Sequence, residues 1–259
     1  MSENSASKLF LPSGLSLDGR KVLVTGAASG IGRATASCLA QLGADLVLTD
    51  RGSLDAVESE VRSFGKAPTL INGDLGDESF LGTLVEAGPY YSFANVAGVF
   101  QGAPGMAGVD AFDFVMHVNV RAPLVLAVAL IDQMAENGGG FICLVGSAAG
   151  RNGGASSGGS ADYAVYAASK GGVHTMVRWL SRRAVGKNVL VNGVAPGVVR
   201  TPLVETVASA NVSFDKSLFP LGRMGEPSEL GWPIALLCSP AASYMSGAVV
   251  DVNGGTFVG

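Results

Sequence analysis

Short runs of β-branched and apolar residues alternate with segments of helical periodicity along nearly the whole chain, and that alternation leaves few folds open. The first run, Lys21–Thr25, meets a glycine turn, Thr25-Gly26-Ala27-Ala28-Ser29-Gly30-Ile31-Gly32, and then a helix expected over Gly30–Leu42. Further strands are expected at Leu46–Thr49, Ala67–Asn72, Tyr91–Ala94, Phe141–Val145, Val189–Val194 and Ala248–Val252. Between them fall helices at Leu54–Phe64, Glu78–Glu86, Phe112–Asn137 (bent at Pro123), Tyr163–Val185 and Glu226–Cys238. Strands in strict alternation with helices imply an α/β fold with a parallel sheet and right-handed crossovers. No period of 20–50 residues repeats, so 259 residues read as one domain over 18–259 behind a polar extension of residues 1–17.

Composition narrows the function classes. Seventeen basic against 21 acidic residues give a net charge of −4 with no Lys/Arg cluster, so nucleic-acid binding has no electrostatic footprint. No uninterrupted apolar stretch reaches the ~18 residues that a bilayer span needs, and the polar start lacks a signal-peptide pattern. The expected compartment is the cytoplasm. Cys38, Cys143 and Cys238 are odd in number and set among apolar neighbours, which reads as core packing. His117 and His174 are isolated, and no metal site is expected. The chain is 48% hydrophobic and 15% charged, apolar enough to suggest burial between subunits as well as within one.

In the first turn, glycines let the backbone approach a pyrophosphate, which then rests on the positive end of the following helix. Gly26, Ser29, Gly30, Ile31 and Gly32 are therefore candidate dinucleotide contacts. Asp50 closes the second strand, 18 residues beyond Gly32, where a carboxylate can accept from a ribose and repel a 2′-phosphate. Arg51 beside it is the opposing signal, since a guanidinium could pair with that phosphate. The absence of a basic residue inside the turn favours NAD over NADP.

Tyr166 and Lys170 stand four apart in Tyr166-Ala167-Ala168-Ser169-Lys170. On a helix these positions share a face, and an ammonium beside a phenol favours the phenolate and lowers its pKa from about 10 toward a useful acid–base range. On an exposed helix the same spacing is commonly a solvated pair.

The glycine turn, Asn95-Val96-Ala97-Gly98, Asn119, Ser147, Tyr166/Lys170 and Pro196-Gly197 fall in an order that resembles the short-chain dehydrogenase/reductase family. The runs Pro220–Glu229 and Ser246–Gly255 also look like that family's endings. The resemblance covers about residues 18–255 and implies a single-domain Rossmann fold, a doubly wound parallel sheet with helices on both faces. It implies that Tyr166 is the acid/base, that Ser147 bonds the reacting oxygen, and that Lys170 tunes the tyrosine and binds the nicotinamide ribose. Asn119 would hold a water that links Lys170 to solvent. By the same resemblance, Asp74 and Leu75 would meet the adenine, and Asn95, Ala97 and Gly98 the cofactor's inner edge. Pro196, Gly197, Val199 and Thr201 would meet the nicotinamide end. A homotetramer, or a homodimer, is the implied assembly, through helices near 112–137 and 163–185.

Three departures stand out. Ser147 and Tyr166 are 19 apart, with the Gly/Ser-rich stretch 153–160 filling the excess. Val96 stands where the family commonly has a second asparagine, and the stretch from Asp74 to Asn95 is short, which predicts a trimmed helix. Substrate walls are expected from 99–110, 148–165 and 202–219, the last as a lid carrying Leu203, Val204, Phe214, Leu218 and Phe219. These are apolar or small, with Arg151 and Arg200 the nearby cations. The reading is an NAD-dependent oxidoreductase for a small apolar secondary alcohol or ketone. The alternatives are an NADPH-dependent 3-oxoacyl-carrier reductase and a catalytically silent dinucleotide sensor.

Overall fold

A computed structural model describes residues 13–101, 108–154, 161–208 and 219–259. Among them, seven strands form one sheet in the order β3-β2-β1-β4-β5-β6-β7. They are β1 (Lys21–Thr25), β2 (Asp45–Asp50), β3 (Thr69–Asn72), β4 (Ser92–Asn95), β5 (Gly140–Val145), β6 (Val189–Pro196) and β7 (Val249–Val252). Every neighbouring pair is parallel. From β1 the chain winds outward to β3, then returns to place β4 on the other side of β1. The carboxyl ends of β1 and β4 therefore part over a crevice, the position where ligands bind in open α/β sheets.

The strands alternate their apolar side chains between two cores. Val22, Val24, Leu46 and Leu48 face one side, where α1 (Gly30–Gln41), α2 (Asp55–Arg62) and α9 (Pro227–Leu237) pack. Leu23, Val47, Ile142 and Leu144 face the other, against α3 (Glu78–Glu86), α5 (Ala122–Glu136) and α7 (Ala161–Arg183). Burial on both faces explains why the strands read as continuous apolar runs. Gly231 of α9 fits only as glycine, because a Cβ there would come within 2.9 Å of the Ala34 carbonyl and the Cys38 sulfur of α1. The three cysteines are free and buried, as core residues.

Most elements lie within a few residues of their expected bounds, and α3 is indeed short at nine residues. Three differ in kind. Leu17, the last residue of the expected polar extension, is fully buried and donates its N–H to the Leu42 carbonyl at 2.8 Å, so the packed body starts earlier. Two short helices, α6 (Ala149–Asn152) and α8 (Pro202–Ala208), fall in stretches that carried no helical expectation. The long helix near 112–137 begins earlier, with α4 at Gly108–Met116, and passes through a π-helical turn at His117–Arg121 before α5. Its irregularity thus precedes Pro123, which has no N–H to return to the Asn119 carbonyl. The run Gly108–Glu136 is long and apolar enough to span a bilayer, but half of its most apolar window is buried in the protein. Leu126, Leu130, Ile131 and Met134 lie in the core, which is how a central helix earns the same composition.

Candidate active site at the sheet's switch point

The crevice holds a cavity of about 350 Å³. Gly26, Ser29, Gly30, Ile31 and Gly32 line its floor from the turn between β1 and α1. The glycines are sterically required. Gly26 has φ +71°, and a Cβ on it would lie 2.7 Å from the Cα and N of Ala97; a Cβ on Gly32 would lie 1.8 Å from the Gly26 carbonyl oxygen. Ser29 precedes α1 without spending its hydroxyl on a cap, so the first turn's N–H groups stay directed at the cavity.

Asp50 and Arg51 form the outer wall, with Asp74 and Leu75 beyond β3. Asp50 is held on both oxygens: Oδ2 accepts the Ala28 N–H at 3.0 Å and Oδ1 the Gly52 N–H at 2.9 Å. Asp74 accepts the Gly76 N–H at 2.8 Å. Ala97, Gly98 and Thr201 complete the expected set on this wall. Thr49 lines the same cavity, and its buried hydroxyl has no partner among the described residues. A bare backbone cradle, a fixed carboxylate and an unpaired hydroxyl fit a dinucleotide laid along the crevice.

Other expected cofactor residues sit differently. Asn95 is buried and accepts the Thr25 hydroxyl at 3.0 Å, while Thr25 Oγ1 accepts the Ala97 N–H at 3.3 Å. It ties β1 to β4 rather than facing the cavity. Pro196 ends β6, and Gly197 and Val199 line a second cavity of about 260 Å³ with Asp251 and Arg223. Val99 and Leu203, expected in the substrate walls, line the main cavity, as do Thr49 and Phe114, which were not singled out and whose signal was only their place near a strand or helix end.

Of the four expected catalytic residues, Lys170 and Asn119 approach Gly98 in the cavity wall and Tyr166 neighbours Ser147, while none of the four lines the cavity itself. Tyr166 and Lys170 lie on α7, Ser147 follows β5, and Asn119 lies in the π-helical turn. Tyr166 packs against Phe100 at 5.2 Å between ring centres, and Tyr163 closes the same aromatic group at 6.2 Å. Burial pushes the Tyr166 hydroxyl up to about 12, against a hydrogen bond with Ser147 that pulls it down. The lowered value expected from the four-residue spacing is therefore not found. Lys170 Nζ sits 5.7 Å from the Tyr166 ring centre, donates instead to the Val145 carbonyl at 3.0 Å, and is itself lowered to about 8 by burial. Desolvation outweighs the lysine's field.

Asn119 is also tied into the site through its side chain. Its side-chain amide bonds both backbone groups of Val99 at 2.8 Å and the Ser169 hydroxyl at 3.0 Å, so it splices the strand end to α7. Gly98 is the gap that lets Lys170 and Asn119 reach the cavity wall: a Cβ there would stand 3.0 Å from Lys170 Nζ and 3.3 Å from Asn119 Oδ1.

Neither nearby arginine is available to grip a substrate. Arg151 bonds Asp251 at 3.3 Å and the Val249 carbonyl at 2.8 Å, and Arg200 pairs with Glu226 at 3.1 Å. Of the expected substrate walls, 102–107, 155–160 (most of the Gly/Ser stretch) and 209–218 (with Phe214 and Leu218) lie outside the described residues. No cluster of metal-ligating side chains occurs among the described residues.

Residues 26–256 match a family model described as Enoyl-(Acyl carrier protein) reductase. The chain is 32% identical to the 3-oxoacyl-[acyl-carrier-protein] reductase of Thermotoga maritima, over 93% of this chain and 99% of that protein. A short-chain type dehydrogenase/reductase from Mycobacterium marinum superposes with a TM-score of 0.85 at 28% identity, covering 95% of this chain and 98% of that one. A putative NAD(P)-dependent gluconate 5-dehydrogenase from Beutenbergia cavernae, with NADP bound, gives a TM-score of 0.81 at 31% identity, covering 94% and 98%. With a Rossmann-type sheet and a dinucleotide crevice already in place, this likeness makes the chain a member of the short-chain dehydrogenase/reductase family of oxidoreductases.

Proposed function

We propose that the protein is an NAD-dependent oxidoreductase that interconverts a small apolar secondary alcohol and its ketone. The observation that carries this reading is the Tyr166 hydroxyl beside Ser147 and one helical turn from Lys170, whose ammonium reaches Gly98 in the wall of the dinucleotide crevice. A bound dinucleotide supplies the nicotinamide carbon that gives or takes the hydride. In reduction Tyr166 gives its proton to the carbonyl oxygen, and in oxidation it takes the hydroxyl proton back. Ser147 donates to the same oxygen as charge develops there. Lys170 keeps a positive charge near the phenol and lies within reach of the ribose edge past Gly98.

Asp50 favours NAD. A 2′-phosphate brought within ~4 Å of this fixed carboxylate costs ~1 kcal/mol in water and ~4 kcal/mol at a partly buried site. The neighbouring Arg51 offsets part of that cost, and the Beutenbergia relative holds NADP. The short reach from both arginines to their own carboxylates supports an uncharged substrate. Three free, buried thiols support a reducing compartment, the cytoplasm. Exposed Phe112, Val125 and Trp179 on the α4–α5 and α7 side, with Trp232, Leu236 and Tyr244 on the α9 side, support a homotetramer with two kinds of contact.

The reductase relatives favour one other substrate, a carrier-linked 3-oxoacyl group reduced with NADPH. A spectrophotometric panel of alcohols, ketones and a 3-oxoacyl thioester, with both NAD(H) and NADP(H), separates the two. Turnover of apolar alcohols with NAD supports the first reading. Thioester reduction confined to NADPH overturns it, and tight cofactor binding with no turnover points to a silent sensor.

A further inference from the structure

The upper end of β5 has two backbone groups that the sheet does not satisfy. Along β5 the even-numbered residues direct their N–H groups to β6, with Gly140 to the Asn188 carbonyl at 3.0 Å, Gly146 to Val194 at 2.8 Å and Ala148 to Pro196 at 2.8 Å. The odd-numbered residues face β4, as Phe141 N–H does to the Tyr91 carbonyl at 3.0 Å. In that parallel register the Val145 carbonyl and the Ser147 N–H would both pair with Ala97. But β4 ends at Asn95, and the Ala97 N–H has turned away to Thr25 Oγ1.

Two side chains of α7, one turn apart, take Ala97's place. Lys170 Nζ donates to the Val145 carbonyl, and His174 Nε2 accepts the Ser147 N–H at 3.3 Å. An orphaned acceptor meets a cation and an orphaned donor meets a neutral imidazole nitrogen. The fit is tight: His174 is 3% exposed, and a Cβ on Gly146 would lie 2.2 Å from its Nε2.

We propose that neutral His174, with Nε2 unprotonated, is a positioning residue that anchors the Ser147 backbone and so aims the Ser147 hydroxyl at Tyr166. It rests on the proposed function for its kinetic consequence, though not for its geometry. The groups that face the imidazole are all cationic, Arg151 from α6 and Arg178 and Lys170 from α7, and burial with these charges holds the ring in its neutral form, lowered to about 4. An imidazolium has no lone pair for the Ser147 N–H, so the role requires the neutral ring.

The test pairs kinetics with spectroscopy. Gln can place an acceptor where Nε2 stands, whereas Leu cannot. His174→Leu should lower kcat at least about tenfold with the cofactor KM within about twofold, and His174→Gln should recover most of that loss. Gly146→Ala, which crowds the ring, should behave like His174→Leu. In a Ser147→Ala background His174→Leu should change kcat by less than about twofold, because the effect acts through Ser147. Equal losses for Leu and Gln, an undiminished loss in the Ser147→Ala background, or no loss in His174→Leu would overturn the proposal.

The chain has two histidines, so a 15N imidazole spectrum assigned by His174→Gln gives a readout independent of turnover and of how His174→Leu folds. An unprotonated Nε2 on a ring that does not titrate between pH 5.5 and 8 is expected; an Nε2–H tautomer or an imidazolium at pH 7 would overturn it. Wild-type turnover in Tyr166→Phe would sink the proposed function instead, leaving the spectrum to judge His174.

Discussion

Lys170 Nζ donates to the Val145 carbonyl at 3.0 Å, which places the lysine's charge against the end of β5 instead of against the Tyr166 oxygen. Burial keeps the proton on Tyr166 to high pH, at about 12, and brings Lys170 down to about 8. Reduction needs a protonated Tyr166 and oxidation needs its conjugate base. We expect kcat/KM for oxidation to climb between pH 6 and 9, and reduction to gain nothing over that range. Initial rates in both directions over a pH series check this; a flat oxidation profile would contradict it.

Asp50 sets the cofactor choice through charge and holds the turn through shape. Asp50→Asn keeps one acceptor for the Ala28 and Gly52 N–H groups and removes the repulsion. The ratio of kcat/KM for NAD over NADP should fall about tenfold or more, which corresponds to ~1.4 kcal/mol. An unchanged ratio would assign the choice to Arg51.

Two glycines should respond oppositely to the same substitution. Gly26→Ala forces a Cβ to 2.7 Å from the Ala97 backbone at φ +71°, and should cost ~2 kcal/mol or more in stability and abolish dinucleotide binding. Gly82 is exposed inside α3 with nothing within 4 Å of a built Cβ, so Gly82→Ala should stabilise by ~0.5–1 kcal/mol. Denaturant unfolding with and without NAD reads both.

Fold stability should carry the signature of His174. Its folded pKa, about 4, lies below the ordinary 6.5, so below pH 6.5 the unfolded chain binds a proton that the folded one refuses. The stability that His174 contributes is complete above pH 6.5 and is lost as pH falls toward 4. Carboxylates also titrate there, so the check is a difference: the drop in Tm from pH 7 to 5 should be smaller in His174→Gln than in wild type.

The strand–helix alternation made the sheet legible because the inner strands β1, β2, β4, β5 and β6 are buried on both faces and read as apolar runs. The glycine turn was legible because its glycines are enforced by backbone contacts, as Gly26 and Gly32 show. What stayed hidden were partnerships that no local pattern encodes. Tyr166 and Lys170 share a face as their spacing predicts, but the lysine's partner is a carbonyl 25 residues away in sequence. Asn119 was expected at the site, and its side-chain amide has a further partnership, with the Val99 backbone. His174 was read only as isolated, although its four-residue step from Lys170 repeats the step from Tyr166. Pro123 was read as a bend, and the irregularity the structure shows is a π-helical turn that ends at Arg121, two residues earlier.

Assembly is open to a direct check. Light scattering should give a mass four times the 26.1 kDa chain at micromolar concentration, and a mass near one chain would contradict the tetramer.

The central claim is that the Tyr166 hydroxyl moves the proton in a hydride-transfer reaction. Single-turnover oxidation of the best alcohol from the panel by Tyr166→Phe, with NAD affinity measured alongside, tests it most directly. The expected result is a rate ~10²–10⁴-fold below wild type with NAD binding retained; turnover as fast as wild type would contradict it.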